Sequence, residues 1–289
     1  MTEPGNAPAK ARRRWLKTAL SGILAAAAVY VVVWELPQPS NDRPWQPDVS
    51  RTAWATINGD RLTIHNLRNC VYRAETDYEP RWEDRTLDLS RLRALDIFIT
   101  YWGSPYIAHP ILSFVFDDGS HVAFSIETRK EIGEEYSSIK GFFRQYELTY
   151  IAADERDVVR LRSNYRKGED VYLYRTTTPS QRARAMLLDY VARMNSLHEK
   201  PEWYNALTSN CTTNIRIHSV HASAGKAPPW DWRILANGLG DRMLYERGNL
   251  AGDLPFEQLK AQALINPAAR AAGGSEEFSR LIRAGKAGF

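Results

Sequence analysis

A chain of 289 residues with 44% hydrophobic side chains can bury the core of one sizeable domain or two small ones, which excludes wholesale disorder. Residues 1–17 hold five of the 38 bases and one of the 34 acids, so the formal charge of +4 lies entirely in that tail and the remainder balances at 33 of each sign. Without a basic surplus in the body of the chain, an electrostatic groove for nucleic acid is excluded.

Residues 18–34 (TALSGILAAAAVYVVVW) form an almost wholly apolar run. With Trp15 and Trp34 as its ends it would span about 30 Å as a helix, enough to cross a bilayer. Bases before it and a Trp at each end orient the chain with its N-terminus in the cytoplasm and the rest in the periplasm. A cleaved signal peptide is the competing reading, but the run ends in Val31-Val32-Val33-Trp34-Glu35-Leu36-Pro37, with no small-x-small site. The expected organisation is therefore a basic cytoplasmic tail (1–17), an inner-membrane single-pass anchor (18–36), a Pro-, Asp- and Ser-rich tether (37–54) and a periplasmic domain (55–289).

Within that domain, short β-like runs fall at 61–64 and 69–72, followed by a polar stretch to about Asp96 and an apolar, aromatic strand at 97–102. The strongest local signal is HPILSFVFDDGSHVAFSIE, residues 109–127, two β-rich runs joined by Asp117-Asp118-Gly119. A three-residue hairpin loop needs a left-handed residue at its end, which Gly supplies cheaply. If Phe116 pairs with Ser120, the register sets Ile111 against Ser125, Val115 against His121 and His109 against Glu127. The opposite face is fully apolar and packs on a core, leaving the His109 face to hold a polar site. Strands are also expected at 146–152 and 171–175, with an amphipathic stretch opening at Asp154. A helix is expected from Thr178-Pro179-Ser180-Gln181, with a capping box and a core stripe of Ala183, Met186, Leu187, Tyr190, Val191, Met194 and Leu197.

Thr208, Ser209 and Asn210 are good N-caps, which places Cys211 in the first turn of a helix running to about Val220. Unpaired N–H groups and the positive end of the helix dipole favour a thiolate at such a position, and the same groups can stabilise an oxyanion. A thiolate nucleophile needs a proton acceptor and donor, for which histidine is suited near neutral pH. Of six histidines, His109 and His121 sit on the polar face of the hairpin, and His109 has Glu127 to hold its ring. The bland readings weigh against this. A cysteine at a helix start is more often a buried small residue, and a strand histidine is usually structural. Sequence alone favours a surface ion pair of Glu127 with Arg129. Cys70 and Cys211 allow one disulfide in an oxidising compartment, while keeping them free leaves Cys211 available. The His and Cys spacings fit no metal-ligand pattern, and no cofactor is expected.

The runs AHPILSFVFDDGSHVAFSIETRKEIGEEYS, ELTYIAADERDVVRLRSNYRKGEDVYLYR, WYNALTSNCTTNI and the terminal FSRLIRAGKAGF resemble the family named for the N-terminal periplasmic domain of Lnb, over about residues 61–289. That family's namesake is a lipoprotein N-acyltransferase. The resemblance implies that His109 of AHPILSF and Cys211 of SNCTTN form a catalytic pair. The order of histidine before cysteine also resembles circularly permuted NlpC-type, papain-like enzymes, a fold-level analogy. It implies an α+β fold with an antiparallel sheet flanked by helices and a third polar residue orienting the histidine. Glu127 is the candidate, with His121 in reserve, and Arg129 and Asn210 are candidate substrate contacts. In the namesake, membrane-embedded sequence follows the periplasmic domain, whereas here the expected span is N-terminal, which leaves the substrate open. The expectation is a membrane-anchored periplasmic thiol acyltransferase or hydrolase working through a thioester on lipoprotein or phospholipid substrates. The alternatives are a cysteine peptidase or amidase on cell-wall peptides and a non-catalytic envelope binding module.

Overall fold

The computed structural model describes residues 9–35, 38–135, 137, 141, 143–226 and 228–289. Residues 1–8 of the expected basic tail, and Leu36 and Pro37 where anchor was to meet tether, lie outside the described residues. The strands are β1 (Trp54–Asn58), β2 (Arg61–Arg68), β3 (Val71–Tyr72), β4 (Tyr78–Glu79), β5 (Trp82–Asp88), β6 (Leu92–Trp102), β7 (Ser104–Phe116), β8 (His121–Arg129), β9 (Glu147–Ala153) and β10 (Glu169–Arg175). The helices are α1 (Ala9–Tyr30), α2 (Glu155–Arg160), α3 (Ser180–Glu199), α4 (Cys211–His221), α5 (Gly240–Glu246), α6 (Phe256–Ala263), α7 (Asn266–Ala272) and α8 (Phe278–Leu281).

The main sheet runs β1-β2-β9-β8-β7-β6-β10, with β5 paired to β2. Its ladders are antiparallel except where Arg68 of β2 meets Ala153 of β9 in parallel, so the sheet is mixed rather than antiparallel throughout. The β7–β8 hairpin sits near its centre. Phe116 N–H donates to Ser120 at 2.9 Å, Gly119 adopts φ +85°, and the ladder sets Val115 against His121 and Ile111 against Ser125, as the register predicts.

Both faces of the sheet are covered. On one side Leu112, Phe114, Val122, Phe124 and Tyr150 meet the whole predicted stripe of α3, and Tyr190 stands edge-on to Phe114 and Phe124. On the other, Phe98, Ile111, Ala123, Ile151 and Val171 pack against Val158 of α2 and against Ile265, Ala269, Phe278 and Ile282 near the C-terminus. The hairpin face expected to hold a polar site is thus buried as well. Its Ser113 and Ser125 are fully enclosed. Among the enclosed charges, Arg283 bonds both Asp96 and Glu155, and Arg68 grips Asp157 with two nitrogens.

Several expectations are corrected. The stretch before Asp96 holds β5 and the start of β6; β5 carries Glu83, Asp84, Arg85 and Asp88, which suit an outer strand better than a core one. No capping box forms at Thr178, because Pro179 takes the N-cap position and has no side-chain oxygen to accept with. The expected tether is not a free linker. Trp45, Val49 and Ala53 are buried, and Arg129 anchors the segment. At the N-terminus α1 ends at Tyr30 and the apolar run passes into a π-helical turn, Val31–Glu35. Arg12, Arg13, Arg14 and Lys17 occupy the first half of α1, and among the described residues no helix is long and apolar enough to cross a membrane.

Candidate active site

The loop before α4 is shaped by asparagines. Asn205 Oδ1 accepts from the N–H groups of Leu207 and Thr208, turning the chain toward the helix. Asn210 then caps α4 reciprocally: its Oδ1 accepts from Thr213 N–H and Thr213 Oγ1 accepts from Asn210 N–H, each at 2.9 Å. Cys211 is the first residue of α4 and is buried. The thiol faces Thr212 Oγ1 at 3.8 Å and Asn237 Nδ2 at 4.0 Å. Both cysteines are free, and Cys70 lies in a separate cluster with Tyr72 and Leu161, where burial and Asp157 push its thiol up to about 12.

His109 reaches this thiol because the sheet parts at Pro110. Phe116 N–H points to β8, so by the period of two the N–H positions of Phe114, Leu112, Pro110 and Ala108 point there too. Pro110 has no N–H to give, and the β7–β8 ladder ends at Ile111 and Ser125. On the other edge β7 stays paired to β6 as far as Ala108, and β8 stays paired to β9 through Arg129, so the two strands separate between them. Asn237 Oδ1 satisfies the Ala108 N–H at 2.8 Å in place of β8. Strand alternation sets His109 on the Ile111 side, whereas Cys211 belongs to the core on the α3 side. Across this parting the Cys211 side chain acts on the imidazole, helping to raise its pKa.

The rest of the ring is held by an ionic chain. His109 Nε2 lies 2.7 Å from Ser125 Oγ and 3.0 Å from Glu127 Oε1. Ser125 spends its single proton on Glu127 Oε1 at 2.7 Å, so its oxygen accepts from His109 and Nε2 carries a proton. Arg162, on the π-helical turn after α2, donates to Glu127 Oε1 and to Glu169. Burial alone would lower the His109 pKa and Arg162 pushes the same way, but Glu127 and the Cys211 contact outweigh them and raise it to about 9. Burial would raise the Glu127 carboxyl, yet His109 and Arg162 hold it well below the usual range. Near neutral pH the pair is imidazolium and carboxylate.

The structure thus brings together Cys211, His109 and Glu127, and does not bring together the other candidates. His121 lies at the far end of β8 from Glu127, with Nδ1 on Gly119 O, so it does not orient His109. Arg129 does not pair with Glu127; its guanidinium binds Val49 O, Ser50 O and Asn41 Oδ1 and stacks on Trp45. Asn210 uses its side chain on Thr213 and Ala206, which fixes the head of α4 at Cys211. Sequence reasoning missed Ser125, Arg162 and Asn237. Ser125 was visible in the hairpin register, while the other two carry no local signal that marks them. Among the described residues no group of His, Cys, Asp and Glu could hold a metal ion. A cavity of about 390 Å³ beside α4, lined by Ser209, Asn214 and His218 among others, does not include Cys211 or His109.

An α+β domain with a mixed sheet flanked by helices is the class these elements define. The chain matches the family described as the Lnb N-terminal periplasmic domain over residues 78–238 and belongs to it. Those bounds enclose His109, Glu127, Arg162, Cys211 and Asn237. No curated protein and no solved structure matches the chain.

Proposed function

We propose that the domain is a periplasmic thiol acyltransferase or hydrolase in which Cys211 is the nucleophile and His109 its proton partner. The observation that carries this reading is the His109 imidazole 3.0 Å from Glu127 Oε1, with the Cys211 side chain among the groups that raise its pKa. An imidazolium beside the sulfur supplies the charge a thiolate needs, and the proton it holds is the one a leaving group requires. The thiolate attacks an ester or amide carbonyl, the carbonyl electron pair moves onto oxygen, and a tetrahedral adduct forms. As it collapses the bond to the leaving alcohol or amine breaks, and His109 gives that group its proton. The thioester left on Cys211 is resolved by an amine or by water, with neutral His109 now acting as base.

The surroundings favour an apolar acyl substrate. Gly238 packs onto the backbone of Pro105, Tyr106 and Ile107, so the exposed side chains of Tyr106, Ile107 and Leu235 flank the segment that carries Asn237. Exposed Trp15, Leu16, Leu20, Ile23 and Leu24 on α1 suit attachment to the inner membrane by the 18–36 segment, which would hold the domain near lipoprotein or phospholipid substrates. A permuted papain-like arrangement is the fold analogy consistent with histidine preceding cysteine. Cells fed an alkyne fatty acid should carry a hydroxylamine-sensitive label on the full-length protein that vanishes in Cys211→Ala. A label unchanged in that variant removes the assignment.

A further inference from the structure

We infer that Asn237 is a catalytic residue of this site, its side-chain amide holding the oxygen that becomes negative when Cys211 attacks a carbonyl. The inference rests on the thiol chemistry proposed above. Asparagine amides can be turned either way, but here the orientation is fixed from outside: Oδ1 accepts the Ala108 N–H at 2.8 Å, so Nδ2 is the end that faces the thiol. Nδ2 lies 4.0 Å from Cys211 Sγ and 3.2 Å from Thr212 Oγ1. A carbonyl oxygen sits one carbon away from the attacking sulfur, so a donor at this distance from Sγ can approach it to about 3 Å, the separation such donors require.

The mounting is rigid for the same reason the site exists at all. Gly238 lies so close to β7 that a Cβ there would stand 2.3 Å from Pro105 O and 2.4 Å from the Tyr106 carbonyl carbon. Tyr101 Oη donates to Gly238 O at 2.9 Å and closes the segment from the other side. Asn237 is therefore pressed into the space that β8 leaves at Pro110. At the head of α4 the cap occupies the N–H of Thr213, and Asn214 N–H bonds Asn210 O, neither of which is the N–H of Cys211. In the attack the S–C bond forms and the carbonyl π pair becomes an oxyanion shared between Asn237 Nδ2–H and the Cys211 N–H. Collapse returns that pair to the carbonyl, expels the leaving group and releases both donors.

The test compares two reactions of the same sulfur in the full-length protein in detergent. Acylation by p-nitrophenyl octanoate passes through an oxyanion, whereas alkylation by iodoacetamide displaces iodide and does not. Dividing the first rate by the second at one pH cancels differences in thiolate content. Asn237→Ala should lower that ratio roughly 10²- to 10³-fold. Asn237→Asp, which still accepts the Ala108 N–H and so keeps the segment in place, should lower it at least as far. A ratio within about threefold of wild type in either folded variant overturns the proposal, because loss of an oxyanion donor costs far more than that. A wild-type protein that alkylates at Cys211 but never acylates removes the thiol chemistry itself, and Asn237's part with it.

Discussion

His109 and Arg162 stand the same distance, 3.0 Å, from a single oxygen, Oε1 of Glu127. Two cations sharing one acceptor would repel, and the arrangement holds because Glu169 takes the other nitrogen of Arg162. The carboxylate therefore stays ionised although it is partly buried, and the imidazole beside it keeps its proton. Every consequence for the thiol follows from this chain of charges.

Neutralising Glu127 should remove the force that raises His109. Burial and Arg162 both lower the imidazole, so in Glu127→Gln its pKa should fall from about 9 to the ordinary 6.5 or below. NMR titration of the His109 ring measures this directly. Acylation should slow on the order of 10²-fold in the same variant. An imidazole still titrating near 9 would show that Glu127 is not its counter-ion.

The same shift ties stability to pH. A group raised on folding stabilises fully below its ordinary pKa and loses that contribution as pH rises through the folded value. For His109 the window is from 6.5 to about 9. The denaturant midpoint should decline across that interval in the wild type and be flatter in Glu127→Gln. Equal slopes in the two proteins would place the titrating group elsewhere.

Pro110 should matter through the N–H it lacks. Pro110→Val restores a donor facing β8, so the ladder can extend past Ile111 and narrow the parting in which thiol and imidazole meet. Hydrogen exchange should reveal a protected amide at position 110, with acylation at least about tenfold slower. An unprotected amide with unchanged acylation would mean that the parting is set by something other than this proline.

The C-terminal segment beyond the family match should prove necessary to the fold. Arg283 lies between Asp96 and Glu155, both fully buried; Asp96 would keep Arg175, but removing Arg283 would leave Glu155 in the interior without its cation. Arg283→Ala should cost about 3–5 kcal/mol in urea unfolding, the range for breaking a buried ion pair. A loss below about 1 kcal/mol would equate it with an exposed pair.

What the sequence disclosed follows the reach of its signals. The β7–β8 hairpin was legible because Asp117-Asp118-Gly119 and the two β-rich runs it joins lie within nineteen residues, and α3 because its stripe repeats at helical spacing. Cys211 at a helix head was legible from the capping residues before it. Arg162 and Asn237 were not, because each acts across the fold; Asn237 bonds a residue 129 positions away. Burial of the hairpin's second face was hidden too, since its covering helices come from the far end of the chain. Arg129 misled for the opposite reason. Its nearness in sequence to Glu127 suggested a pair, while alternate strand residues needed only to share a face, and its guanidinium turns to the 41–50 segment.

The thiol chemistry comes down to one covalent bond, which intact mass spectrometry of the protein incubated with p-nitrophenyl octanoate detects. A single acyl adduct should form on Cys211, released by hydroxylamine, absent in Cys211→Ala and formed at least about 10²-fold more slowly in His109→Ala. An adduct of undiminished yield in Cys211→Ala, or one that forms at the wild-type rate without His109, would contradict it.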